Sequence, residues 1–480
     1  MKKLYNRLLN IYKNMSLVKK SAFWFVICGF TQKSISLMTT PIFSRLLSTS
    51  QYGEFSLFVS WRNIILVFAS LNLASGVYLR GLTKFDNDKE NFTKSLQLLT
   101  LLTTFICFLF YLILHDLFSN LIQLPDIYVY MMFIDIIFCT AFHFWSSYER
   151  DAFRYKNLVI VTISNAILSS ILGIVMVILA ENKVFVRIIS IVFVNIIFYL
   201  FFLVKNLKNG TKLNLDYWKY ALLFNLPLIP HYLSQIVLNQ SDRIMINYFC
   251  GSDKAGIYSL AYTAAMVMTI VNQSVLNTLS PWMYKKIKSN NILDIIDNSY
   301  TLLMLIGFFN ILLIAFAPEV ISIMAPKSYF EAIYIIPPVA CSVFFMFMYS
   351  FFSVFEFYYE KTNYVMVASL IGAVLNIFLN YLFIPKVGYL AAGYTTLICY
   401  VIYVIMHYFF MKYIIKKHMN IDAIFDTKLL SIISIFFLLL SFLLMLLYAN
   451  VLIRYMFILC ILVIIIIKKD KFINVIKHIK

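Results

Sequence analysis

The stretch LVIVTISNAILSSILGIVMVIL, Leu158 to Leu179, carries no charged side chain, and basic residues flank it at Arg154, Lys156 and Lys183. A helix of this length, rising ~1.5 Å per residue, covers the ~30 Å hydrocarbon layer of a bilayer. Similar blocks recur along the chain. The apolar pattern predicts fourteen spans, at about 21–44, 54–79, 95–114, 128–148, 158–179, 185–204, 219–246, 255–281, 299–324, 331–357, 363–384, 389–411, 429–447 and 451–467. Composition agrees: 62% of the 480 residues are apolar and 13% charged, with a mean hydropathy of +0.84. The fold class expected is an all-α polytopic membrane protein. The longest connections are about 17 residues, too short to house a soluble catalytic domain.

A net charge of +18 would point to nucleic acid in a soluble protein. Here the basic residues lie between apolar blocks, the pattern of cytoplasmic loops, so no nucleic-acid partner is expected. With the N-terminus placed inside, thirty Lys and Arg fall in inner segments. Eight fall in outer ones: Arg45, Lys183, Arg187, Arg243, Lys254, Lys327, Lys386 and Arg454. Lys33 and Arg62 lie inside spans. This asymmetry predicts both termini in the cytoplasm. The basic first 20 residues lead into a block followed by many further spans, so the first block reads as a retained helix rather than a cleaved signal. Cys28, Cys107, Cys139, Cys250, Cys341, Cys399 and Cys460 are scattered without ligand spacing, so they read as small packing residues, with no metal site and no cofactor.

The second span opens with Gly53-Glu54-Phe55-Ser56-Leu57 and the eighth with Gly256-Ile257-Tyr258-Ser259-Leu260. Six spans apart is an even number, so the two copies share one orientation, as in a parallel repeat. The expected organisation is an N-terminal six-helix lobe (1–206), a C-terminal six-helix lobe (207–414), and two extra, lipid-facing helices with a basic tail (415–480).

Charges within the hydrocarbon cost ~2.5–3.5 kcal/mol even on insertion scales, so each is a candidate functional residue. On the first span Gly29, Lys33, Ser36 and Thr40 share one face, and Arg62 lies on the second span. Either these cations face a wet cavity, or they pair with the buried acids Asp135 or Glu356 and fix packing. The seventh span carries Pro227 and Pro230, which should kink it, next to His231. Beyond the kink His231, Gln235, Asn239 and Asp242 share a face, followed by Arg243, which Asp242 could neutralise. The eighth span answers with Thr269, Gln273 and Asn277, and the eleventh with Gly372, Asn376 and Asn380. Such stripes suit a polar lumen or interhelical hydrogen bonds. His231 is either a proton-linked switch or a packing residue. No H-E-x-x-H, G-x-S-x-G or Walker loop occurs, so no catalytic residues and no ATPase activity are expected.

Four stretches carry a resemblance. They are Pro41-Ile42-Phe43-Ser44-Arg45-Leu46-Leu47 with Gln51-Tyr52-Gly53-Glu54-Phe55-Ser56-Leu57; Leu226-Pro227-Leu228-Ile229-Pro230-His231 with Ser241-Asp242-Arg243-Ile244-Met245-Ile246 and Ala255-Gly256-Ile257-Tyr258-Ser259-Leu260-Ala261-Tyr262; Ala317-Pro318-Glu319-Val320; and Asn376-Ile377-Phe378-Leu379-Asn380 with Ile384-Pro385-Lys386-Val387-Gly388-Tyr389-Leu390-Ala391-Ala392. Over about residues 20–400 the chain resembles the polysaccharide exporters, the O-antigen and capsule-repeat flippases, relatives of multidrug exporters and the lipid II flippase. It departs from the usual G-x-x-G-A-A at Ala391, where close helix packing is in doubt. The resemblance implies two six-helix lobes around an alternating-access cavity in a bacterial plasma (inner) membrane. The cargo would be an oligosaccharide on a polyprenyl diphosphate, and a polysaccharide polymerase and a chain-length regulator are candidate partners. Lys33, Arg62 and Arg243 would attract the diphosphate; Gln235, Asn239, Gln273, Asn277, Asn376 and Asn380 would meet sugars; Pro227, Pro230, His231 and Asp242 would act in hinge or coupling. A cation-coupled multidrug exporter would instead use the acids Asp135 and Glu356. A polytopic polymerase would need an outer loop longer than the 13 or so residues at 115–127.

Overall fold

The computed structural model describes residues 15–460 and 463. Those residues form helices without strands. In chain order the helices are α1 (Leu17–Leu46), α2 (Thr49–Ser70), α3 (Gly76–Lys84), α4 (Lys89–Ile113), α5 (His115–Ile122), α6 (Asp126–Asp151), α7 (Tyr155–Leu179), α8 (Lys183–Asn209), α9 (Leu215–Asn225), α10 (Ile229–Cys250), α11 (Ser252–Ala265), α12 (Met268–Lys288), α13 (Ile292–Ala315), α14 (Ala317–Met324), α15 (Ile336–Tyr358), α16 (Thr362–Val387), α17 (Ala391–Met419) and α18 (Thr427–Leu446). A short α19 spans Val451–Cys460. Eleven helical runs among the described residues are long and apolar enough to cross a membrane. The chain is a multi-pass membrane protein. The end of the last expected span and the basic tail lie outside the described residues.

The chain divides into two compact units, Met1–Ile236 and Val237–Lys480. In the first, α1 packs on α7, and α6 and α7 on α8. The division falls within α10, later than residue 206, because α9 docks onto α3 and α4. Phe85 and Tyr217 lie 4.7 Å apart by ring centroids, and Phe92 and Tyr217 meet edge to face. Trp218 Nε1 donates to the Ser95 carbonyl at 2.6 Å, Tyr217 to Asp88, and Asn225 to the Leu71 carbonyl. Aromatic area and satisfied polar tips hold the segment there.

In the second unit α15 is the enclosed helix. It is apolar apart from three serines and Glu356, so nearly every face can pack; α17, α13 and α12 surround it. The helix α18 is not wholly lipid-facing: Leu430, Phe437, Ser441 and Leu444 are buried on one stripe, and Phe437 stacks on Phe344 with centroids 4.0 Å apart. Near Ala391 close packing is carried by Gly393, where a Cβ would lie 3.0 Å from Pro338, while Gly388 takes a left-handed φ of +89°. The two repeat glycines, Gly53 and Gly256, are both buried and each lies four residues beyond the first residue of its helix, Thr49 or Ser252.

Candidate functional site

In the first unit, Arg62 lies opposite Asp135. Arg62 Nε donates to Asp135 Oδ2 at 2.5 Å, and Nη2 lies 2.9 Å from Cys139 Sγ. Asp135 Oδ1 accepts from Asn195 Nδ2 at 2.7 Å, and Asn195 Oδ1 from Asn165 Nδ2 at 2.9 Å. One network thus ties α2, α6, α8 and α7 together. Of the two roles open to Arg62, the geometry is that of pairing: Asp135 is 1% exposed, and the guanidinium offsets the cost of burying its charge.

Lys33 differs. It is exposed on the face of α1 that also exposes Gly29 and Ser36, while Thr40 turns inward and donates to the Ser36 carbonyl. No acid among the described residues pairs with Lys33. A polar cavity of about 350 Å³ lies in the same unit, lined by Gln32, Asn72, Thr140, His143, Ser147 and Arg150 among others. Thr140, His143, Ser147 and Arg150 follow i, i+3, i+7, i+10 spacing on α6, so helical periodicity could have found them; sequence reading passed over them because each is a common residue in isolation.

In the second unit Asp242 is 1% exposed and does not pair with its neighbour Arg243. Tyr258 OH and Thr396 Oγ1 donate to Oδ2 at 2.5 and 2.8 Å, and Asn380 and Asn376 amides to Oδ1 at 2.7 and 3.3 Å. Asn376 and Asn380 are both fully buried; they meet Asp242 rather than open space. Ser241 donates to Asn376 and Thr395 to Asn380. Helices α10, α11, α16 and α17 thus surround one carboxylate with neutral groups only. Four neutral donors satisfy the carboxylate without a cation beside it. Among the described residues no three His, Cys, Asp or Glu converge on a metal position.

Arg243 turns the other way. Its Nη1 donates to the Asn239 carbonyl and to Gln240 Oε1 at 3.0 and 2.8 Å, and its guanidinium lies 4.6 Å from the Tyr262 ring centroid. Gln273 and Asn277 are exposed on α12 and bonded to each other at 2.9 Å. Glu356 meets His407, which sequence reading had not paired with it: Oε1 lies 2.7 Å from Nδ1, and both side chains are fully buried. The proline pair interrupts the helix as expected, with a 3-10 turn at Leu226–Leu228 between α9 and α10. His231 and Gln235 are half-buried just beyond it.

A family model described as polysaccharide biosynthesis protein matches residues 18–287, more than half of the chain. The chain belongs to that family. Its relatives include the Lsg locus putative protein 1 of Haemophilus influenzae, 22% identical over 292 residues, 57% of this chain and 68% of that protein. Among solved structures, the lipid II flippase MurJ in an inward closed conformation superposes with a TM-score of 0.68 at 16% identity, covering 93% of this chain and 99% of that one. An inward-facing multidrug resistance MATE transporter of the MOP superfamily superposes with a TM-score of 0.60 at 12% identity, covering 82% and 96%. At such identities the likeness is one of fold. This member of the polysaccharide biosynthesis family therefore has the fold shared by MurJ and MATE transporters.

Proposed function

We propose that the chain flips polyprenyl-diphosphate-linked oligosaccharide repeat units from the cytoplasmic to the outer face of the bacterial inner membrane, by alternating access, for O-antigen or capsule synthesis. Lys33 carries this reading. It is a cation within a membrane helix, with no acid beside it among the described residues, on a chain of the polysaccharide biosynthesis family. A fixed charge there is costly unless its face is wetted and meets an anion; a diphosphate supplies one. Exposed Gln273 and Asn277 likewise suit water and sugar hydroxyls better than lipid. Arg62 acts on this reading by holding Asp135, and Arg243 as a cation backed by Tyr262. The test is complementation of a deletion strain. Wild type should restore surface polysaccharide and Lys33→Ala should not, at equal amounts of inserted protein; full export by Lys33→Ala removes the cationic mechanism.

Asp242 favours a second reading. A buried carboxylate without a cationic partner is what a cation-coupled drug exporter of the same fold would need. Drug resistance conferred by the wild-type gene, with unchanged polysaccharide on deletion, would favour the exporter. On either reading Asp242 is the coupling site, neutralised by a proton or a small cation.

A further inference from the structure

The first unit carries a groove that is polar at one end and apolar at the other. Two cavities share Trp145 and Lys205. One, about 260 Å³, is polar and has Arg154, Lys205 and Glu90 in its wall, where the turn between α6 and α7 meets the end of α8. The other, about 550 Å³, continues along α7 and α8 and is lined by Val161, Phe198 and Phe201. Trp145 stacks on Phe202 beside it, with centroids 3.9 Å apart.

Glu149 decides the head group. It lines the apolar cavity and is 3% exposed, yet its Oε2 accepts no hydrogen bond from any described residue. Arg154 Nη1 stands 4.0 Å from Oε1, beyond hydrogen-bond distance. A buried acceptor left without a donor is costly and uncommon in native structures. The groove thus offers two cations for a phosphate, the Glu149 carboxylate for a nearby ammonium, a second carboxylate, Glu90, in the polar wall, and an apolar channel for acyl chains.

We infer that this groove is a binding site for a zwitterionic aminophospholipid. The phosphate lies between Arg154 and Lys205, the primary ammonium donates to Glu149, and an acyl chain runs along α7 and α8. On the charge map this end is cytoplasmic, so the lipid comes from the inner leaflet. A purely anionic lipid would satisfy the cations and leave Glu149 facing like charge; a trimethylated ammonium could not donate to it.

The full-length protein, purified in detergent, is titrated with dioleoyl phosphatidylethanolamine, phosphatidylcholine or phosphatidylglycerol, and bound lipid is counted by native mass spectrometry. Phosphatidylethanolamine should bind ~10-fold more tightly than the other two, the worth of one charge-assisted hydrogen bond. Glu149→Gln should remove that preference, and Arg154→Ala with Lys205→Ala should weaken all three. Equal binding of the three lipids to the wild-type protein, tightest binding of phosphatidylglycerol, or a preference that survives Glu149→Gln overturns the inference. The lipid series on the wild-type protein decides alone if a variant does not fold.

Discussion

Lys33, Arg62 and Asp242 are three charges within membrane helices, and their surroundings assign them different consequences. Arg62 binds Asp135 through Nε and approaches Cys139 through Nη2, so its loss strands a buried carboxylate. Arg62→Ala should destabilise the protein by about 3–5 kcal/mol, read as a lower midpoint of thermal unfolding in detergent, and Asp135→Asn in the same chain should recover part of it. Arg62→Lys should recover little, because an ammonium cannot present two donors in that fork. Lys33→Ala, on an exposed face, should leave the midpoint within the spread of surface substitutions, about 0.5 kcal/mol, and reduce export. If both variants unfold alike, Lys33 has a packing partner. Asp242→Asn keeps the volume and the donors around it but removes the charge. It should abolish the dependence of transport on the coupling cation without lowering folded yield; unchanged coupling would remove Asp242 from that role. That Arg62 and Lys33 differ was not legible in the sequence, where both are lone cations in apolar blocks. The distinction depends on which residues of α6 and α8 reach α2.

At the scale of the element, the chain is broken at the start of α10, by Pro227 in the 3-10 turn and Pro230 in the first turn of the helix. Replacing both with Ala restores two backbone donors and should straighten the run from Leu215 to Cys250. We expect transport to fall by more than the amount of inserted protein; normal transport at normal expression would show that the break is not a hinge. A second element-scale contact ties the turn between α4 and α6. His115 Nε2 lies 3.0 Å from Asp126 and Nδ1 3.3 Å from Asp116, and the two carboxylates, Asp126 foremost, raise the imidazole above its usual 6.5. A raised folded-state value means the contribution is complete below about pH 6.5 and is lost as pH rises through the folded value. Thermal midpoints followed from pH 5.5 to 8.5 should show a small loss that His115→Gln lacks; identical profiles would remove the contact from the stability of the turn. The proline break was legible because proline's missing donor acts locally, in any tertiary setting. The docking of α9 onto α3 and α4 was not, since Tyr217 and Trp218 are as apolar as residues that face lipid.

At the scale of the whole molecule, the map of spans places Asn120 on the outer side and Asn209 on the inner side. Single cysteines there, in a background with the native cysteines replaced, should react with an impermeant thiol reagent from opposite sides of the membrane; labelling from one side sinks the map. Asn120 is exposed on α5 and Asn209 on α8, so access does not limit the result. The sequence by itself determined that the chain is a helical membrane protein, because hydrocarbon demands long apolar helices wherever they later pack. It also determined the family, through local motifs such as the proline pair and the segment around Asp242. Only the tertiary structure decided where the units divide, that Asp242 is held by Asn376, Asn380, Thr396 and Tyr258 rather than by Arg243, and that Glu356 meets His407. Inside a membrane protein the packed and the lipid-facing sides of a helix are nearly equal in polarity, so composition cannot say which charge meets which; that follows from rotation and register once the helices pack.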